Sequence, residues 1–191
     1  EMILDGIKDA FTEQHTLVTI VTGVEIAEIQ KKIGKDICIA RTMPNTAIRI
    51  RQSMTCIATN KPDSKQFEEV VDIFNMLGKT LVIDEELMLS ATALGSCGIA
   101  YFLRAIRAAS QGGTQIGFHA GEAELIAAQT AKGAAELLLQ LHSHPEDEID
   151  KVTTPRGITI EGLNEMEHNG FSSAMIKGIV RSYDKAANKD E

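Results

Sequence analysis

The stretch Val152-Thr-Thr-Pro-Arg-Gly-Ile-Thr-Ile-Glu-Gly-Leu163 predicts a tight turn that leads into a new helix. Pro155 removes a backbone donor and biases Thr154 toward extended geometry, so an incoming helix ends before it. Gly157 permits a tight or left-handed step, and we expect Thr159 to cap the helix that follows. The start of such a helix offers free N–H groups and a partial positive charge, which suit a small carboxylate. Local physics alone favours an ordinary capped turn that binds nothing.

The chain around this stretch is predicted to be helical from residue 85 to residue 191, because no strand pattern remains there. One long helix is expected over 85–111, ended by Gly112-Gly113. A second, over 120–142, is rich in Ala and apolar on more than one face, so we expect it to be buried on several sides. Shorter helices are predicted at 159–169 and 172–187, and the polar tail 184–191 is expected to fray. So much apolar helix surface predicts pairing with a second chain, as a homodimer with a higher oligomer left open.

Residues 1–84 show a different pattern, in which short apolar strands alternate with helices. Strands are predicted at 17–21, 37–41, 54–59 and 80–84. Helices are predicted over 24–33, ended by Gly34, and from a Ser64 cap to about residue 77 before Gly78. This alternation predicts a largely parallel, Rossmann-like sheet. The fold class is therefore α/β plus all-α, with a nucleotide-binding type of domain over 1–84 and a helical domain over 85–191.

Composition restricts the classes of partner. The 191 residues carry a net charge of −8 and no Lys/Arg cluster, which argues against nucleic acid or an anionic membrane. No apolar run is judged to approach the roughly 20 residues of a membrane span, and no signal peptide opens the sequence. Three widely spaced cysteines suit a reducing cytoplasm better than a disulfide framework. His142 and His144 are two residues apart and make a poor metal pair, so no metal site is predicted.

Four further motifs accompany the central stretch: Arg41-Thr-Met-Pro-Asn-Thr46, Ala93-Leu-Gly-Ser-Cys-Gly-Ile-Ala-Tyr101, Gln129-Thr-Ala-Lys-Gly-Ala-Ala135 and His144-Pro145. Their order and spacing resemble the pyrroline-5-carboxylate reductases. That family's signature runs Val-Thr-Ser-Pro-Gly-Gly-Thr-Thr-Ile-x-Gly-Leu. The resemblance covers nearly the whole chain, and it implies an interlocked helical dimer.

The resemblance also implies an activity, the transfer of hydride from NAD(P)H to the imine carbon of the cyclic imino acid pyrroline-5-carboxylate, which gives L-proline. Thr154, Gly157, Ile158 and Thr159 match the substrate-binding positions. The hydroxyl that approaches the imine nitrogen matches Thr159, the one catalytic residue we assign. Because a Thr hydroxyl does not ionise near neutral pH, we expect it to orient and polarise the substrate, not to act as a full acid.

For the cofactor, the resemblance places Thr22 and Gly23 in a strand-end loop near the nicotinamide. Met43, Pro44 and Asn45 follow the next strand end, and ligands of open α/β sheets bind at such ends. Ordinary structural roles, Gly23 as a turn residue and Asn45 as a side-chain cap, are equally good explanations. The cofactor is expected to be NADP or NAD, with NADPH favoured.

Departures from the family pattern leave alternatives open. No Gly-x-Gly-x-x-Gly fingerprint is found, so we interpret the chain as lacking the first half of the nucleotide domain and as inactive by itself. Arg156 and Ile158 replace a Gly and a small residue or Thr. The chain could therefore be a catalytically silent dimeric module that binds a small carboxylate, or an imine reductase with another substrate.

Overall fold

The computed structural model describes residues 2–187, which form two compact units. The second unit is Ala100–Gly178, and the first takes in the chain on either side of it. The division therefore falls at different residues from the predicted boundary after residue 84, which stays a prediction. Half of the tail that was expected to fray, 188–191, lies outside the described residues, whereas 184–186 belong to the last helix of the chain.

The first unit contains a four-stranded sheet with the strand order β1-β2-β3-β4. Its strands are β1 (Thr16–Thr19), β2 (Cys38–Met43), β3 (Ser53–Thr59) and β4 (Gly78–Val82). The four predicted strands are confirmed within a few residues, but the prediction of a largely parallel sheet needs correction. β1–β2 and β3–β4 are parallel, whereas β2–β3 is antiparallel. The connection 44–52 is too short for the crossover of a dozen or more residues that a parallel pair requires.

Helices α1 (Met2–Ile7), α2 (Ile26–Ile33) and α3 (Lys65–Asn75) belong to the first unit. The predicted stop at Gly34 is confirmed, since this residue caps α2 at φ 67°. The Ser64 cap is confirmed too, because the Phe67 N–H donates to its hydroxyl over 3.2 Å. Gly78 begins β4 at φ 148°, where a Cβ would overlap the backbone of Ser53 on the neighbouring strand. Only glycine fits that position.

The hydrophobic core lies on the two faces of the sheet. All six residues of β2 are buried. One cluster joins α2 to this strand, and the other joins α3 to its opposite face. The buried members are Ile26, Ile29, Ile33, Ile37, Ile39, Met43, Ala58 and Met88 in the first cluster, and Cys38, Ala40, Ile57, Phe67, Val70 and Phe74 in the second. Alternate side chains of a strand point to opposite faces, which is how one strand serves both clusters.

The predicted long helix over 85–111 is interrupted and continues further than expected. A 3₁₀ turn (Glu85–Leu87) leads into α4 (Met88–Ala91), a π turn (Thr92–Ser96) and α5 (Gly98–Gln115). Gly112 and Gly113 therefore do not end the helix, and that prediction is wrong. A Cβ on Gly113 would lie 3.0 Å from the Cβ of Ala123, so this glycine allows the next helix to approach closely.

The remaining helices are α6 (Ala120–Leu141), α7 (Pro145–Val152), α8 (Ile158–His168) and α9 (Phe171–Ala186). α6, α8 and α9 confirm the three helices predicted beyond residue 111 in approximate extent, and α7 lies between α6 and α8 in the chain. The expectation that α6 is buried on several sides does not hold within one chain, where only Ala123 and Ala127 of this helix are buried. Its apolar surface is open.

One segment within residues 2–187, Glu85–Gln115, is long and apolar enough to cross a membrane by length and composition. Our prediction that no run approaches this limit is therefore wrong for this segment. The apolar window is 17% buried within one chain. Core helices of soluble proteins satisfy the same criterion, so length and composition do not identify what covers it.

Candidate functional site

The central stretch forms a four-residue turn from Thr154 to Gly157. The Gly157 N–H donates to the Thr154 carbonyl oxygen over 2.8 Å. Pro155 occupies the first central position, and Arg156 occupies the second at φ 59°. Proline first and a positive φ second is the arrangement of a type II turn, in which the second position favours glycine. Arg156 therefore holds a backbone conformation that L side chains seldom adopt.

Gly157 closes this turn and begins α8. It is the N-cap, at φ −74° and ψ 156°. A Cβ at this position would lie 2.5 Å from Thr154 Oγ1 and 2.9 Å from the Thr154 carbonyl oxygen. The turn thus requires glycine here because of close approach, whereas the left-handed step that we expected of Gly157 is made by Arg156.

The structure corrects the position of Thr159, which we predicted as the N-cap. Gly157 takes that position, and Thr159 is the second residue of α8, with an exposed side chain. Because Gly157 has no side chain, the first-turn N–H groups of α8 have no side-chain cap. Ile158 is 92% exposed beside them. Free N–H groups at a helix start can bind a carboxylate, so the role assigned to Thr154, Gly157, Ile158 and Thr159 stays a prediction with a suitable geometry.

The predicted cofactor residues follow two neighbouring strands. Because β1 and β2 are parallel, with Thr19 opposite Arg41, the loops after them leave the same edge of the sheet. Thr22 and Gly23 are exposed. Gly23 has φ 80°, and a Cβ added to it would have no atom within 4 Å. This edge is open to a ligand at Gly23.

The second loop is more enclosed than expected. Met43 is only 6% exposed, as part of the core, and Pro44 is half-buried. The Asn45 side chain accepts from the Ala47 N–H over 3.0 Å and donates from Nδ2 to the Gly95 carbonyl oxygen over 3.2 Å. The cap role that we considered for Asn45 is thus present in the structure, and its role toward a cofactor stays a prediction.

Glu85 and Arg41 form an ion pair that sequence reasoning missed. Glu85 Oε1 lies 2.7 Å from Arg41 Nη1, and it also accepts from the Ile26 N–H over 2.7 Å. The carboxylate therefore neutralises a buried guanidinium and completes the start of α2. The Arg41 side chain is 5% exposed, and its Nε has no hydrogen-bond partner. An acidic residue just after the last strand was the available signal, but nothing local connects it to β2.

A cleft of about 730 Å³ lies beside this pair. Gly23 and Arg41 line it together with four acidic residues, Glu25, Asp84, Glu85 and Glu86. The excess of carboxylates disfavours a phosphate group against these side chains. Within residues 2–187 no group of three or more His, Cys, Asp or Glu side chains is placed to hold a metal ion.

The catalytic and cofactor predictions fall in different units. The turn and the start of α8 belong to Ala100–Gly178, whereas the loops after β1 and β2 belong to the first unit.

All three cysteines are free, and burial raises the pKa of the Cys56 thiol. Cys56 is therefore a neutral core residue.

Comparison with known proteins gives one consistent result. The family model "Pyrroline-5-carboxylate reductase dimerisation" matches residues 85–189. Pyrroline-5-carboxylate reductase 1 of Dictyostelium discoideum is 57% identical over 97% of this chain, and pyrroline-5-carboxylate reductase 2 of the same organism is 49% identical over 97%. A crystal structure of the Plasmodium falciparum reductase with NADP bound superposes with a TM-score of 0.87 at 27% identity, over 97% of this chain and 71% of that one.

The chain spans 36% of the first Dictyostelium protein and 67% of the second. The family model covers more than half of the chain, and the second relative is matched over two thirds of its length. The chain belongs to the pyrroline-5-carboxylate reductase family, as the motifs indicated.

Proposed function

We propose that this member of the pyrroline-5-carboxylate reductase family reduces 1-pyrroline-5-carboxylate to L-proline, with NADPH as the favoured donor. The observation that carries the proposal is the start of α8, where a closed turn delivers uncapped N–H groups beside the exposed Thr159. This feature lies inside the segment that the family model matches. The names of the relatives support the same reaction.

The substrate carboxylate is the group that the start of α8 suits best. The N–H groups of Ile158 and Thr159 carry the partial positive charge of the helix start and have no side-chain cap. A carboxylate that accepts from them fixes one end of a small ring. Such fixing lowers the entropic part of the barrier, because the ring no longer has to find its orientation during the reaction.

Thr159 then supplies a hydroxyl to the imine nitrogen. Its neighbour Thr154 presents a second exposed hydroxyl at the far end of the turn. A hydroxyl that donates to the imine nitrogen polarises the C=N bond and raises its electrophilicity. Thr159 stays neutral throughout, so the proton that the imine nitrogen gains as hydride reaches the carbon comes from solvent.

The fit of a nicotinamide dinucleotide to these residues is partial. Gly23 offers open space at the strand-end edge, which suits the nicotinamide end, whereas the sequence contains no Gly-x-Gly-x-x-Gly for the pyrophosphate. Thr22, Gly23, Met43, Pro44 and Asn45 are the residues proposed to surround the nicotinamide end. When bound, the reduced cofactor supplies the hydride. NADPH is favoured over NADH because the Plasmodium relative was solved with NADP.

A homodimer is the proposed assembly. Among the described residues of Ala100–Gly178, only Ser110, Ala123 and Ala127 are buried, so this unit has no hydrophobic core of its own. Five large apolar side chains of α6 are exposed: Leu125, Ile126, Leu137, Leu139 and Leu141. A second copy that covers this surface would supply the missing core. Leu125→Lys should then favour the monomer in sedimentation, while Glu124→Lys on the neighbouring exposed position should not.

The proposed location is the cytoplasm, which is supported by three free cysteines. Subcellular fractionation, with a marker protein for each compartment, tests this location. A protein that is found only with membranes would contradict it.

Oxidation of NADPH on addition of pyrroline-5-carboxylate tests the activity, with the product of the complete reading frame that contains these residues. Thr159→Ala should lower kcat by about 100-fold or more, the scale of losing one hydrogen-bond donor to the reacting group. Thr159→Ser keeps the hydroxyl and should retain most of the rate.

The outcomes separate the alternatives. A protein that reduces a different cyclic imine with lower KM is a related imine reductase. A folded dimer that binds proline or another small carboxylate without oxidising NADPH or NADH is the silent module, and the proposed reaction is then wrong.

A further inference from the structure

We propose that Asn45 is a positioning residue: its side-chain amide fastens the connection after β2 to the π turn before α5. The inference rests on the proposed function for its consequence, because the connection that Asn45 holds is the second of the two proposed cofactor loops. The contact itself joins residues that are 50 positions apart in the chain. It was not foreseen from the sequence, which suggested only a local cap or a ligand contact.

Besides its carbonyl oxygen, which accepts from the Ile48 N–H over 3.1 Å, Asn45 makes three hydrogen bonds. Its backbone N–H donates to Ser53 Oγ over 3.1 Å, Oδ1 accepts from the Ala47 N–H over 3.0 Å, and Nδ2 donates to the Gly95 carbonyl oxygen over 3.2 Å. Ser53 is buried and lies 3.1 Å from Thr55 Oγ1, so its hydroxyl is itself held by β3. The amide thus acts in two directions, toward the 3₁₀ turn Thr46–Ile50 and toward the π turn.

The π turn supplies the second half of the argument. Its hydrogen bond runs from the Cys97 N–H to the Thr92 carbonyl oxygen over 2.8 Å, one residue longer than in an α-helix. Such turns are rare and occur often at functional sites. The Gly95 carbonyl oxygen accepts from the Asn45 side chain at this irregular point, so the irregular turn and the loop after β2 stabilise each other.

This geometry favours positioning over direct binding. Oδ1 and Nδ2 each make one protein hydrogen bond, and a ligand contact that rotated the amide would break both of these bonds. With the amide as observed, Asn45 determines where Pro44 and the backbone around it lie. Its expected effect on cofactor affinity is therefore indirect.

Asn45→Asp provides a test with a distinctive pH dependence. The aspartate keeps an acceptor for the Ala47 N–H, but when ionised it cannot donate to the Gly95 carbonyl oxygen. A protonated carboxyl group can do both. The variant should therefore behave like the unaltered protein only when pH falls through the ordinary carboxyl range, near about 4. Asn45→Ala has no such rescue.

Few other groups titrate near this contact. Among the elements hydrogen-bonded to Asn45, β3 carries only the buried Cys56, whose pKa is raised by burial, and the π turn carries no titratable side chain before Cys97. Arg49 and Arg51 lie on the connection itself. A change that appears in Asn45→Asp and is absent in Asn45→Ala at the same pH is due to the new carboxyl group.

The measurement is amide hydrogen exchange over 92–98 in the full chain without cofactor, together with the Kd for NADPH from fluorescence. At neutral pH both Asn45 variants should speed exchange over 92–98 by about five-fold, the scale of one hydrogen bond. Both should weaken NADPH binding. Acid should restore the exchange of Asn45→Asp to the rate of the unaltered protein at that pH. Thr46→Ala, on the exposed neighbour, is the control and should change neither quantity.

Two results would overturn the proposal. In the first, NADPH binding weakens while exchange over 92–98 is unchanged, which makes Asn45 a direct ligand. In the second, acid fails to rescue Asn45→Asp, which means that the loss is not that of the amide bridge. If the unaltered protein binds no NADPH, the proposed function fails, whereas the exchange data still decide whether Asn45 holds the π turn.

Discussion

The Glu85 carboxylate and the Arg41 guanidinium are joined by a 2.7 Å contact that ties the segment after β4 to the middle of the sheet. Arg41 is almost fully buried, whereas Glu85 is about one-third exposed. The same Glu85 oxygen accepts from the first N–H of α2, at the end of the loop that contains Gly23. One carboxylate therefore fixes a strand, a helix start and the loop that precedes that helix.

Glu85→Ala should destabilise the protein by about 2–4 kcal/mol, since it leaves a buried charge unpaired; the partial exposure of Glu85 keeps the loss below that of a fully buried pair. Glu85→Gln keeps an acceptor for the Ile26 N–H and should lose less. The urea midpoint measures both, with Glu86→Ala as the exposed control. Equal midpoints for Glu85→Ala and Glu86→Ala would show that the ion pair contributes nothing.

Replacing the two adjacent glycines of α5 with alanine should change the stability of the protein in opposite directions. Gly112 has no atom within 4 Å of a Cβ position, so Gly112→Ala should stabilise the helix by up to about 1 kcal/mol. Gly113→Ala places a methyl group 3.0 Å from the Ala123 Cβ and should destabilise the contact with α6 by about 1–3 kcal/mol. Thermal unfolding of the two variants at one protein concentration decides the matter. A gain in both would mean that α5 and α6 separate without cost.

Arg156 should be replaceable by glycine without loss of stability. The positive φ of Arg156 costs about 1 kcal/mol, which Gly avoids, although Gly has more freedom in the unfolded chain. Arg156→Gly is therefore expected to be neutral or up to about 1 kcal/mol more stable. Arg156→Ala keeps the strain and should show no gain.

Kinetics of the same variants test whether the Arg156 guanidinium contributes to carboxylate binding. We expect a solvated side chain, so the KM for pyrroline-5-carboxylate should change by less than about two-fold. A rise of ten-fold or more in both Arg156→Gly and Arg156→Ala, with kcat unchanged, would assign it to the substrate.

Glu148 in α7 should contribute to the stability of the folded protein in a pH-dependent way. The hydrogen bond from Lys151, over 2.6 Å, holds the pKa of Glu148 below its ordinary value. A depressed folded-state pKa gives stability above the unfolded-state pKa, and this stability is lost as pH falls through the folded-state pKa. Glu148→Gln should thus lower the denaturation midpoint at neutral pH and not in acid. Lys151→Arg keeps the positive charge, so Glu148→Gln should have the same pH-dependent effect in that background. If Glu148→Gln lowers the midpoint equally at neutral and acid pH, the prediction is wrong.

Much of the architecture follows from local signals. Gly34 ends α2 and Ser64 begins α3 as predicted, because a left-handed C-cap and a side-chain N-cap depend only on residues a few positions away. The motifs around Pro155 indicated the family, and the turn itself needs Pro155 and Gly157, because proline fixes φ and a Cβ on residue 157 would overlap Thr154. Thr159 was misplaced by two positions because Gly157 can take the cap position without a side chain.

The sequence by itself determined the alternation of strands and helices, the turn before α8 and the family, all of which depend on short-range patterns. The tertiary structure decided the antiparallel pairing of β2 and β3, the continuation of α5 through Gly113 to its contact with Ala123, and the partners of Glu85 and Asn45. These features join residues that are distant in the chain. Their stability comes from burial and hydrogen bonding that exist only once the elements have packed together.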